Sequence, residues 1–212
     1  MVNHAELLNE YFPDLAGVAV EKLLQLPALY ADWNAKINVV SRKDMDDFFE
    51  HHVIHSLALT RFVKPQPGWR ILDVGTGGGF PGIPLAICYP EAQFILSDSI
   101  AKKIKVVQEV ATSLALSNID ARALRAEQIQ GPFDLVVSRA VTRLAGFYPW
   151  VKGKIRQNGV DGRGMAFLKG GDLDEEIREF LAAYPKCHIE EKSIFEQIDR
   201  PFFETKKVLL LT

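Results

Sequence analysis

The residues best placed to do chemistry are Asp73, Gly75, Gly77 and Gly79, which read D-x-G-x-G-x-G within "ILDVGTGGGFPGIPLA", between two apolar runs. Glycines at that density weaken a fold unless something must approach the backbone closely, so the turn is read as the seat of a ligand. A nucleoside-triphosphate loop is excluded, because Phe80, Pro81 and Gly82 stand where such a loop needs lysine and a hydroxyl. A dinucleotide is harder to separate, since Gly77, Gly79 and Gly82 also satisfy G-x-G-x-x-G. Asp73 tells against it: an anion at the strand end repels a pyrophosphate arriving at the helix N-terminus, but suits a cofactor bearing a sulfonium and an ammonium group. S-adenosylmethionine is such a cofactor. Asp98 closes the next apolar run, "AQFILSD", where a carboxylate accepts both ribose hydroxyls of either nucleoside cofactor.

If a methyl group is transferred, the acceptor atom sets what else is needed. Exocyclic-amine methylation commonly uses a [DNS]-P-P-[YFW] turn after the fourth strand, and here that place reads "SRAV", Ser138 to Val141. Cytosine C5 chemistry needs a cysteine nucleophile near the cofactor, yet Cys88 falls inside an apolar helix and Cys187 opens a late strand. A guanine N7 carries an in-plane lone pair and needs no general base, only alignment with the methyl carbon, so no acid/base residue is assigned. Arg139, just after the fourth strand, is expected at a substrate phosphate, the cofactor carboxylate or a base edge, a plain salt bridge being the structural alternative. Arg125, after the third strand, is a weaker candidate. Lys102, Lys103 and Lys105 follow Asp98 as candidate phosphate contacts, against the alternative of a solvated helix start. His51 and His55 share a helix face at i, i+4, but no acidic or cysteine ligand cluster accompanies them or His52, so packing or surface histidines are expected rather than a metal site.

These residues need a sheet to converge on. Short apolar runs, "RILDV", "AQFILSD", "IDARAL", "FDLVVS" and "MAFLKG", alternate with helix-length amphipathic segments, the pattern of a parallel sheet covered on both faces. After the helix "DLDEEIREFLAAY", two strands, "HIEEKSIFEQI" and "KKVLLLT", follow with no helix between and should pair antiparallel. The fold class is therefore α/β, Rossmann-like, with one reversed strand near the C-terminus. Before it, Val18, Leu23, Leu24, Leu26, Leu29, Tyr30, Trp33 and Ile37 recur at helical spacing, and "SRKD" at 41–44 predicts a capping box opening a helix through "FFEHHVIHSLALTRFV". Residues 1–64 are read as an N-terminal helical segment and 65–212 as the cofactor-binding domain, together one compact unit.

The chain has 212 residues, 48% of them hydrophobic, enough for a buried core. Its opening, "MVNHAELLNEYF", shows no basic-then-apolar leader, and no apolar run nears the roughly 18 residues of a membrane span, so a cytosolic protein is expected. Two cysteines outside any C-x-x-C spacing fit a reduced compartment without zinc or disulfides. The net charge of -2 does not announce a polyanion partner. Residues 100–169, however, hold twelve Lys/Arg against five Asp/Glu, a segregation that a polyanion-binding edge would produce.

"NAKIN" at 34–38, "HVIHSL" at 52–57, "LDVGTGGGFPGIPLA", "LSDS" at 96–99, "RAE" at 125–127, "SRAV" and "LKG" at 168–170 together resemble the glucose-inhibited division protein B family, the ribosomal small-subunit RNA methyltransferases G. The resemblance implies S-adenosylmethionine-dependent methylation of guanine N7, at guanine 527 of 16S rRNA; a monomer acting on the small subunit or an assembly intermediate is expected, with naked RNA left open by the sequence. It also implies that Gly75, Gly77 and Phe80 line the cofactor, Asp98 its ribose, Ala126 and Glu127 the adenine rim, and Arg139 the substrate mouth. The family commonly has aspartate in "HxxDSL" where this chain has His55, which leaves that segment either touching substrate or packing a helix. Competing readings are an NAD-dependent oxidoreductase, which lacks a hydride-transfer acid/base, and a non-catalytic RNA-binding module, whose signature would be loss of the glycines or Asp98.

Overall fold

The computed structural model describes residues 3–156 and 163–212. Strands β1 (Arg70–Val74), β2 (Gln93–Ser97), β3 (Ile119–Arg122), β4 (Leu135–Arg139), β5 (Gly164–Gly170), β6 (Ile189–Ser193) and β7 (Lys206–Leu211) form one sheet in the order β3-β2-β1-β4-β5-β7-β6. β1 to β5 run parallel, and β7 lies antiparallel to both β5 and β6. The link from β6 to β7 holds only the 3-10 turn Pro201–Phe203, which cannot cover the sheet as a crossover helix does, so the chain reverses. The mostly parallel sheet with one reversed strand is as expected.

The apolar strands are explained by two buried faces. Ile71, Phe94, Leu96, Leu135, Val137, Ala166 and Val208 point into one core, while Leu72, Ile95, Val136, Met165, Phe167 and Leu209 point into the other. Neighbouring positions alternate between cores because side chains along a strand alternate faces. Helices α1 (His4–Tyr11), α2 (Gly17–Asn34), α3 (His55–Leu57), α4 (Gly82–Cys88) and α5 (Ala101–Ser113) pack into the first core. Helices α6 (Leu144–Val151) and α7 (Asp174–Ala183) close the second. No helix among the described residues is long and apolar enough to cross a membrane.

Two local expectations are corrected. Val18, placed in the apolar stripe of α2, is 65% exposed in its first turn, whereas Leu23, Leu26 and Tyr30 are fully buried. The capping box at 41–44 does not form: Ser41 makes no side-chain cap, Arg42–Asp44 is a single 3-10 turn, and the helical run begins at Phe49. Its turns Phe49–Ile54 are widened to i→i+5 bonding, α3 follows, and Ala58–Arg61 tighten to 3-10. Asp44 is instead drawn to His51 and His52, at 2.5 and 2.6 Å.

Asn34 explains why α2 stops where it does. Its Oδ1 accepts from the Val39 and Val40 N–H groups (2.8 and 3.0 Å), and its Nδ2 donates to the Val40 carbonyl at 2.9 Å. This folds "NAKINVV" back over the sheet and sets Val39 against Gly78 of the glycine turn.

Candidate active site

In this strand order the direction of winding reverses between β1 and β4, and open α/β sheets bind ligands at the carboxyl ends of the strands flanking such a point. A cleft of about 470 Å³ lies there. The glycine turn forms its floor. Gly75 has φ +67°, and a Cβ on it would fall 2.4 Å from Val141 Cγ2. Gly79 has φ +104°, and its Cβ would fall 2.5 Å from Ile83 Cδ1. Both positions combine a left-handed backbone with no room for a side chain, which only glycine tolerates. Tyr30, fully buried, donates its hydroxyl to the Gly78 carbonyl and supports the turn from α2.

Asp98 reaches the cleft from the end of β2. Its Oδ2 accepts from Gly77 N–H at 3.0 Å and its Oδ1 from Ile100 N–H at 2.8 Å, so it ties the glycine turn to the start of α5. Each oxygen keeps a further lone pair for a ligand. Opposite, the turn Ala126–Gln128 is held by Lys154, whose Nζ donates to the carbonyls of Ala126 (2.6 Å) and Glu127 (3.1 Å). Trp150 of α6 and Leu124 complete this end.

Arg139 ends β4 and faces the cleft. Its Nη1 donates to the His51 carbonyl at 3.2 Å, its Nη2 to His52 Nδ1 at 2.9 Å, and its guanidinium stands 5.3 Å from the Phe80 ring centre. Burial lowers its pKa to about 10, so it stays charged. Among the described residues no carboxylate lies within 4.0 Å of it, unlike the salt bridge that was its structural alternative. Ala140, at φ +50°, turns the chain directly afterwards, a strained conformation for a residue with a Cβ, and lays Val141 over Gly75.

Of the residues expected at the ligand, Gly75, Gly77, Phe80 and Asp98 border the cleft, as do Lys103, Arg125, Ala126, Glu127 and Arg139. Gly79 does not, because its role is to let α4 and Tyr30 approach. Lys102 and Lys105 are exposed on α5 outside the cleft. Asp73 is the main correction. It is fully buried beneath the turn, where Oδ2 accepts from the Thr76 hydroxyl (2.6 Å) and Gly82 N–H (2.8 Å), while Oδ1 finds no partner among the described residues. Burial pushes its pKa up to about 7. It anchors the turn from beneath and does not border the cleft.

This predicts a pH effect. A carboxyl whose folded pKa lies above its unfolded value near 4 keeps its proton longer in the folded state, so its contribution is full at low pH and is lost as pH rises toward 7. Denaturant titrations of wild type and Asp73→Asn between pH 4.5 and 8 should show the wild type losing ground with rising pH, by at most about 1.4 kcal/mol per unit. A pH-independent difference would contradict the assignment.

Sequence reasoning missed Val39, Trp150 and the Asp44–His52 pair. Val39 follows directly on "NAKIN", but its place over Gly78 depends on the Asn34 turn. His55 is buried, with Nε2 unpartnered among the described residues and Phe202 and Phe203 edge-on at 5.5 and 5.8 Å. It packs the helical run and does not border the cleft. Part of the basic excess of residues 100–169 is answered from α7, where Glu179 pairs with Arg143 and Glu176 with Lys169, while Arg163 pairs with Asp134 inside the segment. Lys103 and Arg125 are left at the rim.

The profile of the family described as rRNA small subunit methyltransferase G matches residues 19–201. The chain belongs to this family. Membership extends over nearly its whole length. The ribosomal RNA small subunit methyltransferase G of Flavobacterium psychrophilum is 50% identical over 206 residues, covering 96% of both chains. That of Bacteroides thetaiotaomicron is 46% identical, covering 96% of this chain and 98% of its own. Among solved structures, a SAM-dependent methyltransferase from Aquifex aeolicus superposes with a TM-score of 0.57 at 13% identity, covering 78% of this chain and 96% of that one. The ribosomal protein L11 methylase of Lactobacillus delbrueckii gives 0.55 at 19%, covering 75% and 76%. Both show the Rossmann-like methyltransferase fold. With Asp73 buried, its charge no longer argues against a dinucleotide; family membership separates the readings.

Proposed function

We propose that this family member transfers the methyl group of S-adenosylmethionine to N7 of guanine 527 in 16S rRNA, in the small subunit or an assembly intermediate. The observation that carries this reading is the polarity of the cleft: a carboxylate, Asp98, at one side and, at the other, a guanidinium, Arg139, with no carboxylate in direct contact among the described residues, with the turn Ala126–Gln128 beside Trp150. The ribose diol meets Asp98, the adenine lies along Ala126 and Glu127, and the amino-acid carboxylate or a substrate phosphate meets Arg139. Lys103 and Arg125 stand at the rim for RNA phosphates, with Lys102 beyond it.

The chemistry asks little more of the protein. The N7 lone pair attacks the methyl carbon, the carbon–sulfur bond breaks with its electrons going to sulfur, and the positive charge passes from sulfonium to base. No proton must leave N7. No histidine or cysteine borders the cleft among the described residues, and burial raises the Cys88 thiol to about 12, so the cleft offers no cysteine of the kind that cytosine C5 chemistry needs. Rate enhancement then rests on in-line placement. The N-terminal helices and the sheet domain act as one unit in this, since α2 and the segment after it support the glycine turn.

The test is methyl transfer from labelled S-adenosylmethionine to small subunits isolated from cells lacking this protein, with nuclease mapping of the product. Label at N7 of that one guanine is expected. Label on another base, or none despite measured cofactor binding, would overturn the acceptor assignment.

A further inference from the structure

Arg139 is half-buried and charged, and its hydrogen bonds go only to neutral groups. A buried cation is ordinarily compensated by a carboxylate, and a bidentate one would consume both the charge and the fork of N–H donors. Here the two contacts are a backbone carbonyl, that of His51, and the Nδ1 of His52. A guanidinium has no lone pair to offer, so His52 Nδ1 must be the acceptor and the ring's proton must sit on Nε2. That proton points at Asp44 Oδ2, 2.6 Å away. The hydrogen bonds therefore run one way, from Arg139 through His52 to Asp44. Asp44 Oδ1 also takes the Nδ1 of His51, whose carbonyl is Arg139's other acceptor. Burial, and then the charge of Arg139, lower the His52 pKa to about 4, consistent with a neutral ring near pH 7. Phe48 and Phe80 flank that ring, with centres 5.4 and 5.2 Å away.

We propose that His52 and Asp44 are positioning residues for the methyl-transfer site: Asp44 fixes His52 as its neutral Nε2–H form, and His52 orients Arg139 while leaving its charge free for an oxyanion of the ligand. This rests on the reading of the cleft above. The oxyanion is the carboxylate of the cofactor or a phosphate of the RNA, chemically alike to a guanidinium. The device places a carboxylate near the cation yet one imidazole removed from it. Attraction is retained while the remaining N–H donors stay open to the cleft.

The test compares wild type with His52→Phe, which keeps a flat ring without acceptor or donor, and His52→Asn, whose side-chain oxygen can stand in for Nδ1. Binding is measured for S-adenosylhomocysteine and for 5′-methylthioadenosine, which shares the nucleoside but lacks the amino-acid carboxylate. If Arg139 serves the cofactor, His52→Phe weakens S-adenosylhomocysteine by roughly tenfold, leaves methylthioadenosine unchanged, and is largely rescued by asparagine. If Arg139 serves the RNA, both nucleosides bind normally while the KM for small subunits rises and its salt dependence flattens, with kcat retained. Equal losses on both nucleosides, or no change in any of these, overturns the proposal. Arg139→Met in the same assays separates the two levels: if it too spares all of them, the reading of the cleft fails; if it alone has the effect, only the role of His52 fails. Long-range proton–nitrogen correlations on the wild-type protein at pH 7 give a readout without mutation. The Nε2–H form of His52 is expected, and an Nδ1–H ring or an imidazolium overturns the proposal.

Discussion

Replacing Asp98 with alanine is expected to weaken S-adenosylhomocysteine binding by about a hundredfold, roughly 2.7 kcal/mol. Two losses add to this. The ribose diol loses a charged acceptor, and hydrogen bonds to charged groups contribute about 1.5–3 kcal/mol. The glycine turn also loses its tie to α5, because Gly77 and Ile100 each donate to a separate oxygen of this one carboxylate. That division predicts that Asp98→Asn is nearly as damaging as alanine: an amide has one carbonyl oxygen, so its NH2 must face one of the two backbone N–H groups. Calorimetry with the 2′-deoxy analogue isolates the ribose part. Wild type should bind that analogue more weakly than the parent, and the Asp98→Ala variant should bind the two alike. Wild-type affinity in the alanine variant would remove Asp98 from the cofactor site.

How much of this was legible in the sequence follows from how far each feature reaches. The strands were readable because burial on both faces leaves a local mark, unbroken apolar residues such as Ile71–Leu72 and Val136–Val137 feeding two cores. The reversed β7 was readable from the missing helix before it. The helical run from Phe49 was harder. Its widened turns carry His52, which meets Asp44 eight residues before it and Arg139 far along the chain, a meeting that no periodicity records.

The same distinction runs through the site. The sequence shows that the turn at 75–79 needs glycines, and the reason differs at each: Gly75 makes way for Val141, Gly79 for Ile83 and Tyr30. Asp73 and Asp98 look alike as carboxylates closing apolar strands, yet one is sealed under the turn while the other reaches the cleft. What decides is the direction of each side chain relative to the sheet edge, which depends on the neighbouring strands. The charge count was blind to partners for a related reason: Glu176 and Glu179 of α7 lie outside the basic segment in sequence but against it in space, and answer two of its cations.

Gly82→Ala should be strongly destabilising through packing alone. Gly82 opens α4 with ordinary helical geometry, so alanine meets no backbone strain and the whole effect is one of space. A Cβ would come within 2.7 Å of both Asp73 Oδ2 and Leu96 Cγ, one the anchor of the glycine turn and the other a fully buried core residue of β2. Neither can yield cheaply: moving Leu96 disturbs the core between α4 and the sheet, and moving Asp73 breaks its bonds to Thr76 and Gly82. Overpacking typically costs about 1–3 kcal/mol, and a buried acceptor left unsatisfied about 1–3 more. A loss of about 3–5 kcal/mol is expected, which for a chain of this size lowers Tm by roughly 6–20 °C. Gly146→Ala supplies the contrast within the same protein. That glycine is exposed in α6 and its Cβ would meet nothing closer than Thr142 Oγ1 at 3.7 Å, so alanine should stabilise by about 0.5 kcal/mol through helix propensity alone. Thermal unfolding of the two variants should move in opposite directions from wild type. Equal tolerance of alanine at both positions would mean that α4 does not need its close approach to β1 and β2, and that Asp73 does not anchor the turn through Gly82.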